Sequence, residues 1–213
     1  MGAENRMVVE GQDDKFALIE LMGHHVDWPQ EKALAPVFVE IGGSADEILA
    51  TGFISGKLKE SGVDVLGVVL DADDIFSNRW GRIRSLCAPL FPLMSATIPA
   101  DGLIIENIDE MRLGVWIMPD NASHGMLETF LQHLVPDTSV PVLDYAKQAV
   151  NEARQKGASC RECHIDKALI HTWLAWQDPP GNSLGRALTK RILDPDSNSA
   201  APFIAWFKKL YRL

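Results

Sequence analysis

Long apolar runs are missing from this 213-residue chain, and cysteine is scarce. No segment approaches the roughly 20 apolar residues that a membrane-spanning helix needs. The first residues, MGAENR, lack the apolar segment of a signal peptide. Three cysteines, an odd number, suit reduced thiols better than a disulfide framework. We therefore expect a cytoplasmic protein that does not associate with membranes.

The chain also has fewer basic than acidic residues. The chain has 20 Lys and Arg against 29 Asp and Glu, which gives a formal net charge of −9. This balance argues against a general nucleic-acid coat protein, because phosphate binding depends on Lys and Arg. It does not exclude a nucleic-acid enzyme, since carboxylates that hold a metal ion also count as negative. The apolar fraction of 46% is ordinary for a globular protein with a substantial core.

Strand-like and helix-like segments alternate through the first 135 residues. Hydrophobic periodicity and turn residues predict strands at 6–10, 36–43, 64–70, 102–107 and 113–121, and helices at 13–23, 44–60, 78–90 and 126–135. The last two strands are close enough to form a hairpin. This alternation predicts an α/β fold with a mostly parallel sheet and helices on both faces.

The character of the sequence changes after Pro136. Four helical segments are predicted, at 140–156, 165–177, 183–193 and 201–210, separated by glycine- and proline-containing turns. We therefore divide the chain into an α/β core (1–136) and a helical extension packed on the core (137–213).

Carboxylates follow two of the predicted strands at the point where each strand ends. Glu10 comes after the apolar run MVV, and LGVVL runs directly into Asp71 and Asp73. Open α/β sheets bind ligands at the carboxyl ends of their strands. Carboxylates that gather there repel one another unless a cation joins them, and Mg²⁺ prefers carboxylate and water oxygens. The sequence therefore predicts a Mg²⁺ or Mn²⁺ site at this edge of the sheet.

These two motifs, Glu10-Gly11 and Asp71-Ala-Asp73, resemble the Toprim domain. That domain is the metal-binding module of topoisomerases, bacterial primases and nucleases of the overcoming-lysogenization-defect type. The resemblance covers roughly residues 6–130, and the chain has neither the large domains of primases or topoisomerases nor a Walker A loop. It implies a Toprim-like sheet and metal-dependent phosphodiester cleavage of DNA or RNA. A homodimer or a partner protein remains open.

The nuclease branch of this family implies further site residues. Its second acid, four residues past the glutamate, corresponds to Asp14. An acid beyond a later strand corresponds to Asp120, with Glu128 as the weaker choice, and a lysine in a later helix corresponds to Lys167. The resemblance thus implies one metal-ligand set and one catalytic pair: the ligands Glu10, Asp14, Asp71, Asp73 and Asp120, and the catalytic residues Glu10 and Lys167.

The chemistry of these groups is coherent with phosphodiester cleavage. Divalent ions held by carboxylates stabilise charge on the attacking and leaving oxygens, and a lysine ammonium neutralises charge on the phosphate. Ordinary structural roles compete at several positions. Asp13, Asp14 or Asp74 can cap a helix, and the segment Pro119-Asp120-Asn121 is typical of a turn.

A second motif, Cys160-Arg161-Glu162-Cys163-His164, matches the haem-attachment string C-x-x-C-H. Covalent haem attachment does not suit a cytoplasmic chain. A zinc site would use both cysteines and His164, together with His171. Because no second C-x-x-C is present, we favour an incidental helix start.

Two other functions are compatible with the sequence. Asp71-Ala-Asp73-Asp74-Ile75 approaches the signature of haloacid-dehalogenase-type phosphatases, in which Asp71 would be the nucleophile and Asp73 the general acid. However, Ile75 stands where that family has Thr or Val, and the family motif usually follows the first strand. The third hypothesis is a non-catalytic Toprim-like module that binds a metal ion or a partner.

Overall fold

A computed structural model describes residues 5–29, 31–73 and 76–213. Within these ranges five strands form one sheet: β1 (Asn5–Val9), β2 (Phe38–Ile41), β3 (Val65–Asp71), β4 (Leu103–Glu106) and β5 (Arg112–Met118). Their order across the sheet is β2-β1-β3-β5-β4. All neighbouring pairs are parallel except β4 and β5, which form an antiparallel pair. The α/β class and the mostly parallel sheet expected from the sequence are confirmed.

Helices connect and cover these strands. They are α1 (Gln12–Gly23), α2 (Ala45–Ile48), α3 (Phe53–Leu58), α4 (Phe76–Cys87), α5 (Leu127–Gln132), α6 (Val140–Gln155), α7 (Ile165–Ala175), α8 (Leu184–Thr189) and α9 (Ala201–Tyr211). Among the helices in the described ranges, none combines the length and apolarity that a bilayer crossing requires.

One predicted detail of the helices is wrong. The segment 44–60 forms two short helices rather than one, because Gly52 between them adopts a left-handed conformation with φ of +89°. The N-cap of helix α5 is Met126, and Ser123 belongs to the preceding turn, where its N–H and hydroxyl donate to the Asp120 carboxylate.

Alternating side chains of the central strands enter two separate apolar cores. On β3, Val65 and Val69 face the core that contains the larger share of the helices, whereas Val68 and Leu70 face the opposite core with α2, α3 and α4. Burial on both faces explains why this strand reads as one continuous apolar run. The result is a three-layer arrangement that leaves the strand ends as the open edge.

The C-terminal helix α9 lies directly on the sheet. A side chain at Gly67 would overlap Tyr211, and one at Gly114 would overlap Leu210, so both glycines allow a close approach of helix to sheet. The Tyr211 hydroxyl donates to the Arg6 carbonyl at 2.7 Å. The helical extension 137–213 therefore shares one apolar core with the sheet.

Candidate metal and catalytic site

The site is built at the carboxyl ends of β1 and β3, which are neighbours in the sheet. Glu10 follows β1, and its Oε1 accepts a hydrogen bond from the backbone N–H of Asp71 at 2.8 Å. Its Oε2 accepts from the N–H of Ala45, the first residue of α2, at 3.0 Å. Since each carboxylate oxygen has two acceptor positions, these bonds fix the orientation of Glu10 and leave acceptor capacity on both oxygens.

Asp71 ends β3 and contacts the start of another helix. Its Oδ1 accepts from the N–H of Leu127, the first residue of α5, at 2.9 Å. Burial raises the pKa of Asp71 well above its ordinary value, and the negative charges of Asp14, Glu10 and Glu128 raise it further. Four acids that were separated in the sequence therefore lie within electrostatic range of one another.

Asp14 and Glu10 show the same crowding. Burial raises the pKa of Asp14, and the Glu128 carboxylate adds to the effect. Burial likewise raises the pKa of Glu10, although the hydrogen bond from Asp71 and the charge of Arg79 oppose it. Asp14 is positioned through its Oδ2, which accepts from the Gly11 N–H at 3.0 Å. The nearby positive charges therefore do not balance the negative charges of these carboxylates.

Asp73 lies just beyond the strand in an uncommon backbone conformation, with φ of +53°. Its N–H donates to the Gly125 carbonyl at 3.0 Å, which pins the turn to the loop before α5. Its carboxylate is exposed and forms an ion pair with Arg79. Aspartate is one of the few non-glycine residue types that adopt this left-handed conformation readily. The neighbouring Asp74 and Ile75 lie outside the described residues.

The structure gives different roles to Asp120 and Glu128, the two acids that the resemblance offered beyond β5. Asp120 accepts hydrogen bonds from the N–H groups of Ala122 and Ser123, at 3.0 and 2.7 Å, and closes a turn. Burial alone would raise the pKa of Asp120, but these hydrogen bonds outweigh it and the pKa is lowered. Glu128, on α5, is the acid whose charge acts on Asp14 and Asp71. Both residues follow β5, and the resemblance ranks Asp120 first, whereas it is the charge of Glu128 that reaches Asp14 and Asp71.

Lys167 is brought to the same place by α7. Its Nζ lies 3.0 Å from Glu128 Oε1 and 3.7 Å from Asp13 Oδ2. Burial alone would lower the pKa of Lys167, but the Glu128 carboxylate outweighs it and the pKa is raised, so the ammonium stays protonated. The Glu128 side chain is 5% exposed and that of Lys167 is 47% exposed. A deeply placed carboxylate is therefore paired with a cation that reaches solvent.

Asp13 and His171 extend this acidic cluster. Ligand atoms of Asp13, Glu128 and His171 all lie within 4.8 Å of one another, and no other group of three or more His, Cys, Asp or Glu in the described residues meets this spacing. Sequence reasoning treated Asp13 as a helix cap and linked His171 only to the cysteines. The signal it missed is the spacing of Lys167 and His171, which lie four residues apart on one face of α7.

The cysteine motif does not form a comparable group in the described part of the chain. Cys163 is exposed and Cys160 is half-buried. Cys163 lines a cleft of about 480 Å³ together with Asp73, His124 and Asp166. Asp73 is the only one of the predicted metal ligands that lines this cleft.

Several basic residues near the site are already paired with acids. Arg79 pairs with Asp73, and Arg82 with Asp46. Near the C-terminus, Arg191 pairs with Asp196. These ion pairs reduce the positive charge that the three arginines could offer to a phosphate.

Comparison with known families gives one match. A family model described as "Protein of unknown function (DUF3226)" matches residues 4–212, nearly the whole chain. No curated protein and no solved structure matches the chain significantly. The chain belongs to the DUF3226 family.

Proposed function

We propose that this member of the DUF3226 family is a divalent-metal-dependent phosphodiesterase that acts on nucleic acid through a Toprim-like core. The observation that carries the proposal is the hydrogen bond between Glu10 Oε1 and the Asp71 N–H. It brings the two motifs of the Toprim resemblance, 61 residues apart, to adjacent strand ends. This arrangement supports the proposed function.

The donor set suits Mg²⁺ or Mn²⁺. Glu10, Asp14, Asp71 and Asp73 offer carboxylate oxygens only, which are the ligands that hard divalent cations prefer. The pKa of each of the first three is raised above its ordinary value, so the site is unfavourable for three ionised carboxylates without a cation. A bound divalent ion would supply stabilisation of charge on the attacking and leaving oxygens of a phosphodiester.

The chain's own residues provide positioning and charge. Backbone N–H groups at the starts of α2 and α5 hold Glu10 and Asp71 in place. Further carboxylates would have to move toward a bound ion, because in the described residues no three of these strand-end acids have ligand atoms within 4.8 Å of one another. Lys167 carries a protonated ammonium beside the acids, where it can neutralise charge on a phosphate oxygen. The cleft beside Asp73, with a volume of about 480 Å³, is where we expect the nucleic acid to bind.

The test uses the purified full chain with supercoiled plasmid, single-stranded DNA and RNA, each with Mg²⁺, Mn²⁺ or EDTA. We expect metal-dependent cleavage of at least one substrate, and its loss in Asp71→Asn. Asparagine keeps an oxygen that accepts from Leu127 and removes only the charge, so the fold should survive. Asp144→Asn, at an exposed position on α6, is the matched control and should cleave normally.

Other outcomes would replace the proposal. Hydrolysis of a phosphate monoester with a phosphoryl group trapped on Asp71 would indicate the phosphatase. Binding of Mg²⁺ by calorimetry without cleavage of any substrate would indicate the non-catalytic module. Cleavage that persists in Asp71→Asn would contradict the assignment of the site.

A further inference from the structure

We propose that Asp13, Glu128 and His171 form a separate transition-metal site that takes Zn²⁺. Its ligands differ from the all-carboxylate set of Glu10, Asp71 and Asp73. The inference goes beyond the proposed function, because it concerns metal binding and does not require that the protein cleave a phosphodiester.

The three ligands come from three different helices. Asp13 lies in the first turn of α1, Glu128 in the first turn of α5, and His171 on α7. Their ligand atoms lie within 4.8 Å of one another. Around a zinc ion with bonds of about 2.1 Å, tetrahedral ligand atoms lie about 3.4 Å apart. Side-chain shifts of roughly 1 Å therefore close the site around an ion, and three protein ligands leave one position open for water.

A cationic side chain already pairs with two of these ligands. The Lys167 ammonium lies 3.0 Å from Glu128 Oε1 and 3.7 Å from Asp13 Oδ2, between two of the three ligands. The Glu128 side chain is only 5% exposed. A buried carboxylate destabilises the fold unless a cation pairs with it. Lys167 is half exposed on a flexible stem, so it can move into solvent when a metal ion replaces it.

The imidazole of His171 determines which metal is preferred. Carboxylate and water ligands suit Mg²⁺, whereas an imidazole nitrogen favours zinc and similar transition metals. A set of one nitrogen and two carboxylates should therefore keep its ion in the presence of excess Mg²⁺. This difference separates the proposed site from the strand-end acids in an experiment.

Calorimetry with Zn²⁺ in millimolar Mg²⁺ tests the site on the full chain. We expect one equivalent of tightly bound Zn²⁺ in the wild type and an affinity reduced roughly tenfold or more in His171→Asn. His133→Asn, at another exposed histidine, is the control and should bind like the wild type. Absorption of bound Co²⁺ in the visible range provides a second readout, which should change in His171→Asn and not in His133→Asn.

Two further variants separate this site from its alternatives. Lys167→Met removes the competing ammonium, so we expect tighter Zn²⁺ binding, a gain that misfolding would not produce. The double variant Cys160→Ser/Cys163→Ser should bind Zn²⁺ like the wild type. Loss of binding in the cysteine variant with full binding in His171→Asn would overturn the proposal, as would a wild type that binds no Zn²⁺. Cleavage activity and its loss in Asp71→Asn are measured separately, so either proposal can fail alone.

Discussion

The Glu10 carboxylate is hydrogen-bonded to the backbone N–H of Asp71, so the ends of β1 and β3 are joined by a side chain that is itself acidic. The Glu10 carboxylate also accepts a hydrogen bond from the first residue of α2, and the Asp71 carboxylate accepts one from the first residue of α5. Two acids therefore connect two strands to two helix N-termini, where negative charge is favourable. The same contacts bring negative charges together in a partly buried place, which raises the pKa values of Glu10 and Asp71.

Asp71→Asn should stabilise the protein in the absence of metal. Because burial and neighbouring acids raise the pKa of Asp71 well above its ordinary value, the ionised form is unfavourable in the folded state. Neutralising it should raise the free energy of unfolding by about 1 kcal/mol, which corresponds to a Tm increase of about 2–4 °C. Differential scanning fluorimetry in EDTA measures this.

The same variant should lose the stabilisation by metal. Millimolar Mg²⁺ should raise the Tm of the wild type, because an ion that binds only the folded state stabilises it, and should leave Asp71→Asn nearly unchanged. Asp144→Asn should behave like the wild type in both buffers. A lower Tm for Asp71→Asn in EDTA would indicate that Asp71 is a purely structural residue.

The stability of the metal-free protein should fall as the pH rises above the ordinary range of carboxyl groups. Glu10, Asp14 and Asp71 have folded-state pKa values raised above their ordinary values of 4.5, 3.8 and 3.8. Between the unfolded and folded pKa values the folded state binds more protons, so the free energy of unfolding decreases with increasing pH. Urea denaturation from pH 4 upward, in EDTA, measures this slope.

A double variant provides the control for this pH dependence. Glu10→Gln/Asp71→Asn removes two of the three groups and should flatten the slope, and Mg²⁺ should flatten it in the wild type. A wild-type stability that instead increases through this range would show that the acids are stabilised as anions in the folded state.

Removing the charge of Glu128 and removing that of Asp120 should have very different effects on metal-dependent cleavage. Glu128→Gln should reduce metal-dependent cleavage 10–100-fold, because the Glu128 charge acts on Asp14 and Asp71 and its carboxylate pairs with Lys167. Asp120→Asn should keep most of the activity and cost about 1 kcal/mol of stability through its turn. Rates normalised to the folded fraction distinguish the two. The opposite ranking would favour Asp120 as the ligand, as sequence reasoning first ranked it.

Gly114→Ala should destabilise the protein by about 1–3 kcal/mol. A side chain at this position would overlap Leu210 of α9, which forces the C-terminal helix away from the sheet. Gly81→Ala on α4 is the matched control, since a side chain there meets nothing within 4 Å, and alanine in a helix should be neutral or stabilising. Equal denaturation midpoints for Gly114→Ala and the wild type would show that α9 does not depend on this close approach.

Most of the fold was predictable because its signals are local. The continuous apolar run of β3 indicated a strand buried on both faces, and the proline- and glycine-containing turns indicated where helices end. The break between α2 and α3 was missed because Gly52 acts through its backbone conformation. The packing of α9 on Gly67 and Gly114 depends on contacts between distant parts of the chain, which periodicity does not report.

The candidate site was predictable in part for a related reason. Glu10 and Asp71 lie at strand ends, and the rule that parallel strands share their carboxyl edge places them together. Glu128, Asp13 and His171 lie on helices whose rotation is set by tertiary packing. Their meeting with Lys167 is visible only in three dimensions, although the i, i+4 spacing of Lys167 and His171 was present in the sequence.

Anomalous diffraction from crystals of the full chain soaked in Mn²⁺ tests the central claim most directly. We predict a peak at the carboxyl ends of β1 and β3, within bonding distance of carboxylate oxygens of Glu10 and Asp71, and its loss in Asp71→Asn crystals. A wild-type map with no peak at these strand ends, under conditions in which Mn²⁺ supports cleavage, would contradict the account.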